Sequence, residues 1–232
     1  MKPLRSIIIE SVDRLGKDTL IKALLDKLGF MQVVHYQKPM LLSKYVEAAK
    51  HSATMTYKSE DDLKSDALKA YQFSSFETMF KMLGSDGKFI LNRAHLGEMV
   101  YAHRYRGYDG AYIYFLEESW CPLDEVLLIL LHTSDFSFIA DDGESFNFDQ
   151  KEEEQLDFVR AFERSKIKHK LMIDVSAAGD FVPKNIISNG VVQAFMTIQS
   201  MDQPVWDMSW SKNGDTYTQV NNLMPDPRTL VT

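Results

Sequence analysis

A glycine–lysine pair near the start of the chain is the feature whose residues could do chemistry most directly. Residues 7–20 read IIIESVDRLGKDTL: three β-branched apolar residues, a turn that ends in Gly16 and Lys17, and the start of an apolar helical pattern. In such a strand–turn–helix, backbone N–H groups and the positive end of the helix dipole face an anion, and the lysine adds a point charge. The segment therefore predicts a phosphate-binding loop.

The turn departs from the common pattern G-x-x-x-x-G-K-[ST] at two positions. Ser11 stands where the first glycine is usual, and Asp18 stands where a hydroxyl residue usually reaches Mg²⁺. A carboxylate there suits Mg²⁺, which favours hard oxygen ligands. We expect five residues to hold a nucleotide's phosphates, the last two of them beside Mg²⁺: Leu15, Gly16, Lys17, Asp18 and Thr19. The alternative is a solvated Gly-Lys turn or a decayed phosphate loop.

A second charged segment follows a later apolar run. Asn92 and Arg93 end that run, a helical pattern follows, and Arg104 and Arg106 come after it. The planar fork of arginine suits a phosphate group. We expect Arg93 to lie in a ligand cleft because it directly follows a strand, whereas Arg104 is expected to make an ion pair with one of the many carboxylates.

The composition is that of a soluble globular chain of 232 residues, 45% of them hydrophobic. The net charge of −7 argues against broad non-specific binding of nucleic acid but leaves room for a small anionic ligand. The single cysteine, Cys121, excludes an intramolecular disulfide framework and suits a reducing cytosol. No apolar run reaches about 18 residues, so no membrane span is expected. The N-terminus leads directly into the first predicted strand, so no signal peptide is expected. We therefore expect a cytoplasmic protein.

Apolar runs alternate with helical patterns along the chain. Strands are predicted at residues 5–10, 33–36, 88–91, 126–131 and 170–175, and helices at 17–28, 41–51, 60–83, 150–165 and 184–200. Short apolar strands separated by helices are typical of a parallel sheet that is covered on both faces. We therefore expect a three-layer α/β/α fold with a five-stranded parallel sheet, and ligands at the carboxyl ends of its strands.

The chain changes character from about residue 202. This part contains three prolines, two tryptophans and an Asn213-Gly214 turn. We predict one domain over residues 1–201 and an irregular tail over residues 202–232.

The two charged segments together resemble the thymidylate kinase family, within the P-loop nucleoside monophosphate kinases. Asp13-Arg14-x-Gly16-Lys17 is similar to the phosphate loop of the branch that keeps an arginine inside the loop. The resemblance implies a P-loop NTPase-type fold in which Arg14 clamps the transferred phosphate and the mobile lid lacks a catalytic arginine. The predicted lid, at about residues 135–157, agrees, because its one basic residue is Lys151. Its acidic run at 152–154 is expected to be a solvated helix face.

The second match is Asn92-Arg93 with Tyr101 and then Arg106-Gly107 at the family's spacing. The resemblance implies an acceptor nucleotide whose phosphate binds Arg93 and whose sugar and base lie by Tyr101, with Arg106 also among the residues that bind this nucleotide. Asp13 would hold the 3′-hydroxyl of that nucleotide. Lys38 stands near the place of an arginine that touches the acceptor phosphate.

Residues 71–77 look like the family's helix whose phenylalanine stacks on thymine, which here would be Phe73. Glu77 falls where family members often carry an arginine that reads a carbonyl of the base. A carboxylate accepts hydrogen bonds, so Glu77 favours a base with an amino or ring N–H donor. Asn92 replaces an aspartate of the magnesium shell and lacks its charge.

The resemblance implies transfer of the γ-phosphoryl group of ATP to a deoxynucleoside 5′-monophosphate, dTMP in the first place, with Mg²⁺ as cofactor. Arg14, Lys17 and Arg93 would be the catalytic residues. The partners would be small nucleotides and, since the family is usually homodimeric, a second copy of the chain. The divergent motifs and the tail suit a phage origin, in which case the host cytoplasm is the expected location.

Two alternatives stay open. A deoxynucleoside kinase would need a base for the sugar 5′-hydroxyl, usually a carboxylate after the second strand, and residues 35–39 contain none. A non-catalytic nucleotide-binding relative with a decayed loop would account for Asp18, Asn92 and the missing glycine.

Overall fold

A mostly parallel β-sheet forms the centre of the computed structural model, which describes residues 3–36, 60–139, 148–197 and 205–223. Within these residues the sheet has seven strands, not the five expected. Their spatial order is β2-β3-β1-β4-β5-β8-β9, and every neighbouring pair is parallel except β8 and β9. The strands are β1 (Ser6–Ser11), β2 (Gln32–His35), β3 (Phe89–Asn92), β4 (Val126–His132), β5 (His169–Asp174), β8 (Val205–Asn213) and β9 (Thr216–Leu223).

The five predicted strands all form, because their apolar runs fill the interior of the sheet. β1 and β4 pair over residues 6–11 and 126–131, and their aliphatic side chains are buried without alternation. A strand covered on both faces has this pattern, since both rows of side chains lie in the core. A short antiparallel ladder, β6 (Ser176–Ala177) with β7 (Asp180–Phe181), follows β5.

Helices cover the sheet. The described helices are α1 (Lys17–Lys27), α2 (Glu60–Leu83), α3 (His95–Tyr105), α4 (Tyr112–Trp120), α5 (Phe148–Arg164) and α6 (Lys184–Thr197). In pairs, α1 contacts α6, α2 contacts α4, and α3 contacts α5. The predicted α/β class with flanking helices is therefore confirmed, whereas the helix predicted at 41–51 lies outside the described residues.

Residues 205–223 are regular, which corrects the irregular tail expected there. β8 adds to β5 in parallel, from the pair Lys170–Val205 to the pair Ile173–Met208, and β9 returns antiparallel to β8. Met208 and Trp210 are buried while Ser209 between them is not, so β8 has the alternation of a strand with one covered face. The turn that was interpreted as a sign of irregular chain connects the two strands of this hairpin.

Among the described residues, no helix is both long and apolar enough to cross a membrane.

Candidate active site

The predicted phosphate loop connects β1 to α1 as expected. Gly16 has a φ of 75°, a left-handed conformation that glycine adopts readily, and Lys17 begins α1. The buried ammonium group of Lys17 lies 3.4 Å from the hydroxyl of Ser11, so the serine that replaces the usual glycine holds the lysine. Burial and then nearby Arg93 lower the pKa of Lys17. The loop therefore presents a fixed amine beside an arginine.

Two arginines near this loop have backbone conformations that are unusual for residues with a side chain. Arg14 has a φ of 73° and Arg93 a φ of 64°. Such residues are uncommon outside glycine and cluster at functional sites, where the surrounding structure maintains the strain. In Arg93 the backbone N–H donates to the carbonyl of Ile9, which fixes this strained residue to β1.

Asp13 and Arg93 join the phosphate loop to the end of β3. The Arg93 guanidinium donates to Asp13 Oδ1 at 2.6 Å, and both side chains are partly exposed. Asp13 belongs to the loop, and Arg93 follows the strand next to β1. Both side chains line one cavity, so the loop and this cavity share a wall.

Carboxylate and amide oxygen atoms, which suit Mg²⁺, lie near the position predicted for this ion. The Asn92 amide donates to Asp18 at 2.5 Å and lies 2.9 Å from His35 Nδ1. The Asn92 Oδ1 atom is buried and accepts no hydrogen bond from the described residues. Asp18 and Thr19 are exposed on the first turn of α1. An orphaned carbonyl oxygen beside a carboxylate suits a hard cation.

No group of three or more His, Cys, Asp or Glu side chains within the described ranges is arranged to hold a metal ion by itself. An ion at Asp18 would therefore need oxygen atoms from a bound nucleotide, as Mg²⁺ usually does in sites that transfer phosphate.

A cavity of about 400 Å³ opens beside Arg93. That volume lies in the range of small-molecule sites. Aromatic side chains form much of its wall, and five charged side chains reach it: Glu10, Asp13, Arg93, Glu98 and Arg106. The aromatic residues are Tyr36, Phe76, Tyr101, Tyr105 and Phe158.

Glu10 holds the start of α3, a role that the sequence analysis missed. Its Oε1 atom accepts the backbone N–H groups of Ala94 at 2.8 Å and of Leu96 at 3.0 Å, and Gly97 lies at 3.4 Å. Burial raises the pKa of Glu10, although His95 and Lys17 oppose that shift. A carboxylate at a helix N-terminus satisfies N–H groups that have no partner within the helix. The available signal was a glutamate at the end of an otherwise apolar strand.

Glu98 is the centre of a second buried network that the sequence analysis missed. Its Oε1 atom accepts the hydroxyls of Tyr108 and Tyr112, each at 2.7 Å, and its Oε2 atom accepts Gln72 at 3.2 Å and Arg106. Glu98 is 2% exposed, and the charge of Arg106 balances it. The network fastens α3 to α2 and to α4.

A third buried glutamate connects the cavity to α5, the helix that contains part of the predicted lid. Glu154 of α5 accepts the hydroxyl of Tyr101 at 3.0 Å and pairs with Lys151 at 3.3 Å. The expectation of a solvated face over residues 152–154 is therefore wrong for Glu154. Arg104 donates to Asp157 at 2.8 Å, so its predicted ion pair is confirmed, between α3 and α5.

Most of the predicted site residues meet at the loop and the cavity. The loop residues 13–19 surround the start of α1, and Arg93, Tyr101 and Arg106 line the cavity. Leu15 is buried, so its backbone rather than its side chain is available to a phosphate. Lys38 lies outside the described residues.

Phe73 and Glu77 do not line the cavity, which corrects their predicted place beside a base. Phe73 packs on Tyr112 with ring centroids 5.5 Å apart, and Glu77 pairs with Lys81 at 2.6 Å. The side chains of α2 that do line the cavity are Leu68, Gln72 and Phe76, at intervals of four residues. Because residues at i and i+4 share a face of a helix, the neighbours at 73 and 77 point elsewhere.

Comparisons with known proteins agree on the fold. No protein-family model and no curated protein sequence matches the chain. The structure of YorR from Bacillus subtilis in complex with phosphorylated GDP matches with a TM-score of 0.55 and 15% identity, over 85% of this chain and 99% of that one. Thymidylate kinase from Ehrlichia chaffeensis matches with a TM-score of 0.50 and 15% identity, over 83% and 99%.

These likenesses show the architecture. The chain has an α/β fold with a mostly parallel central sheet and flanking helices, like the P-loop kinases.

Proposed function

We propose that the protein transfers the γ-phosphoryl group of ATP to the 5′-phosphate of a nucleoside monophosphate, with dTMP as the first candidate. The observation that carries this proposal is the contact between Asp13 and Arg93, which places a phosphate loop and an acceptor-sized cavity on one shared wall. Phosphoryl transfer requires the two reacting phosphates to meet in line, so a donor loop and an acceptor cavity must adjoin. The fold shared with a thymidylate kinase and with YorR supports the same class.

On the donor side, the backbone of residues 15–19 and the Lys17 ammonium hold the phosphates of ATP. Arg14 supplies the positive charge for the transferred group. The cation of the lid helix, Lys151, is buried against Glu154, so the lid offers no equivalent charge among its described residues.

Asp18, Thr19 and the Asn92 carbonyl fit Mg²⁺, because they present oxygen atoms at the first turn of α1. When bound, Mg²⁺ neutralises charge on the donor phosphates. Asp18 then anchors the ion to the protein, and Asn92 orients Asp18 through their hydrogen bond.

On the acceptor side, Arg93 binds the monophosphate and Asp13 is freed to accept the sugar hydroxyl. Tyr101 lies by the sugar and base, and Phe76 takes the place beside the base that was expected for Phe73. No general base is needed, since the acceptor phosphate is already ionised. The two buried glutamates of the cavity are poorly suited to deprotonate a sugar hydroxyl, because Glu10 and Glu98 already accept several N–H or O–H groups.

We retain three further elements of the sequence analysis within this proposal. Residues 135–157 close over ATP as a lid, of which 140–147 lie outside the described part of the chain. The active form is a homodimer, and the catalytic domain predicted over residues 1–201 is extended by the hairpin of β8 and β9, which adds to its sheet.

An ADP-release assay with ATP, Mg²⁺ and each of dTMP, dUMP, dCMP, dGMP and dAMP tests the proposal, with thymidine as the nucleoside control. Lys17→Ala should lower turnover at least about a hundredfold, because the charge on the donor phosphates would lose its fixed partner. The matched control is Lys22→Ala, an exposed lysine on the same helix, which should keep normal turnover. Turnover with thymidine alone would indicate a nucleoside kinase. No turnover with any acceptor, in folded protein, would refute the proposed activity.

A further inference from the structure

Two hydrogen-bond donors meet at a single oxygen atom in the wall of the cavity. Gln72 donates its amide Nε2 to Glu98 Oε2 at 3.2 Å, and Arg106 donates Nη1 to the same oxygen. Since both nitrogens bond to one atom, they lie side by side. All three side chains line the cavity, and both donor groups carry further N–H bonds. This wall therefore places two neighbouring donors next to a ligand.

Glu98 has no acceptor capacity left for that ligand. An ionised carboxylate has about four acceptor sites, and Glu98 already accepts Gln72, Arg106 and the hydroxyls of Tyr108 and Tyr112. Burial and then the charge of Glu98 raise the pKa of both tyrosines, so their hydroxyls keep their protons and donate. A new donor from a ligand would have to displace one of these four.

The amide of Gln72 is fixed in one orientation. Its nitrogen faces Glu98, and its Oε1 atom accepts the hydroxyl of Tyr36 at 2.9 Å. The reversed amide would place its carbonyl oxygen against the carboxylate, which is repulsive. Gln72 is 1% exposed, so packing also opposes reorientation. The carbonyl of Gln72 therefore points towards Tyr36, and its N–H groups stay beside Arg106.

We propose that this site selects its nucleobase by an oxo group, which accepts hydrogen bonds from Gln72 and Arg106. The inference rests on the proposed function, because it takes the cavity to hold the base of a monophosphate acceptor. Uracil and thymine carry such a carbonyl at position 4, and guanine and hypoxanthine carry it at position 6, where cytosine and adenine carry an amino group. The amino group of cytosine or adenine would instead place its N–H bonds against two donors, with no free acceptor on Glu98. This selection reads an acceptor of the base, whereas Glu77 suggested from the sequence that a donor of the base is read.

Two pairs of size-matched nucleotides test this inference on the wild-type protein by calorimetric titration. dUMP and dCMP differ at the 4-position edge, and dIMP and dAMP differ at the 6-position edge. The oxo member of a pair should bind at least about tenfold more tightly, the effect of one or two hydrogen bonds made or opposed. Equal affinity within a pair that binds, or a preference for the amino member, overturns the inference. Absence of binding by all four would refute the proposed function instead, and this inference with it.

Two variants test whether Gln72 causes the preference for the oxo base. Gln72→Met removes the amide at similar volume and should bring the dUMP to dCMP affinity ratio close to one. Leu68→Met, one turn earlier on α2 and also in the cavity wall, should keep the wild-type ratio. Circular dichroism establishes that both variants are folded. An unchanged ratio in folded Gln72→Met removes Gln72 from the selection, and the wild-type ratios stand independently if that variant does not fold.

Discussion

Replacing Glu10 with alanine should loosen the start of α3 while the sheet stays intact. The change removes the acceptor of two good hydrogen bonds, from Ala94 at 2.8 Å and Leu96 at 3.0 Å. Each bond to a charged acceptor contributes about 1.5–3 kcal/mol. The carboxylate is itself buried at a penalty, so we take the lower value for each and expect a loss of about 3 kcal/mol.

Glu10→Gln is the matched control, because its amide oxygen still accepts both N–H groups. It should keep the stability of the wild type to within about 1 kcal/mol at neutral pH, because the favourable contribution of a charge at a helix N-terminus is opposed by the cost of burying that charge. Burial raises the pKa of Glu10 above its usual 4.5, so the folded protein holds this proton more tightly than the unfolded chain does. The stability gained from this tighter binding of the proton is fully present below pH 4.5 and is lost as the pH rises through the folded pKa. The wild type should therefore gain stability relative to Glu10→Gln on acidification.

Urea denaturation followed by circular dichroism measures these differences. With a slope near 3 kcal/mol per molar urea, the alanine variant should unfold at a midpoint about 1 M below the wild type. Since α3 carries Glu98 and Tyr101, the same variant should also raise the KM for the acceptor. Coincident midpoints for the alanine variant and the wild type would show that the bonds at Ala94 and Leu96 add nothing to stability.

Two further predictions concern the corrected positions. Glu77→Ala should leave the KM for every acceptor nucleotide within about twofold of the wild type, because Glu77 pairs with Lys81 outside the cavity. A larger change in the KM, measured by steady-state kinetics, would contradict that placement. Gly190→Val should destabilise the protein by about 1–3 kcal/mol in the same urea assay, because even the first added carbon would lie 2.8 Å from Met208 Sδ of β8, and the branched side chain needs more room than a shift of that methionine provides. An unchanged midpoint would show that α6 and the hairpin are not closely packed.

The fold was predictable where a segment's own pattern decides its structure. The unbroken aliphatic residues at 126–131 have few alternatives to a buried parallel strand, and the strand–turn–helix at 6–27 repeats a familiar order. The hairpin of β8 and β9 was missed because three prolines and an Asn-Gly pair outweighed the weak alternation around Met208 and Trp210. Its pairing with β5 is a contact between distant segments, which local patterns do not specify.

The candidate site was predictable only where its residues are close together in the sequence. The strand–turn–helix that carries the predicted phosphate loop could be placed because its residues are consecutive. The cavity wall could not, because its polar groups come from separate elements, and the contact of Gln72 with Glu98 depends on how α2 and α3 are rotated. On α2 a shift of one residue turns a side chain by about 100°, and that shift separates the expected Phe73 and Glu77 from the observed Gln72 and Phe76. Similarly, Glu154 lies in an acidic run that looks solvated, yet the rotation of α5 places it against Tyr101.

Three buried glutamates that contact α3 lie at or beside the cavity, and under the proposed function their charges would restrict how an acceptor can enter. Glu10 binds the start of the helix, Glu98 ties its middle to Arg106, and Glu154 fastens it to α5. A dianionic phosphate placed deep in the cavity would face carboxylates whose partners are already committed. At the opposite end, Arg93 is 43% exposed and its partner Asp13 belongs to the phosphate loop, so this pair can be exchanged for a phosphate. Under the proposed function, this distribution of charge would orient a nucleotide with its phosphate at the loop and its neutral base between α2 and α3.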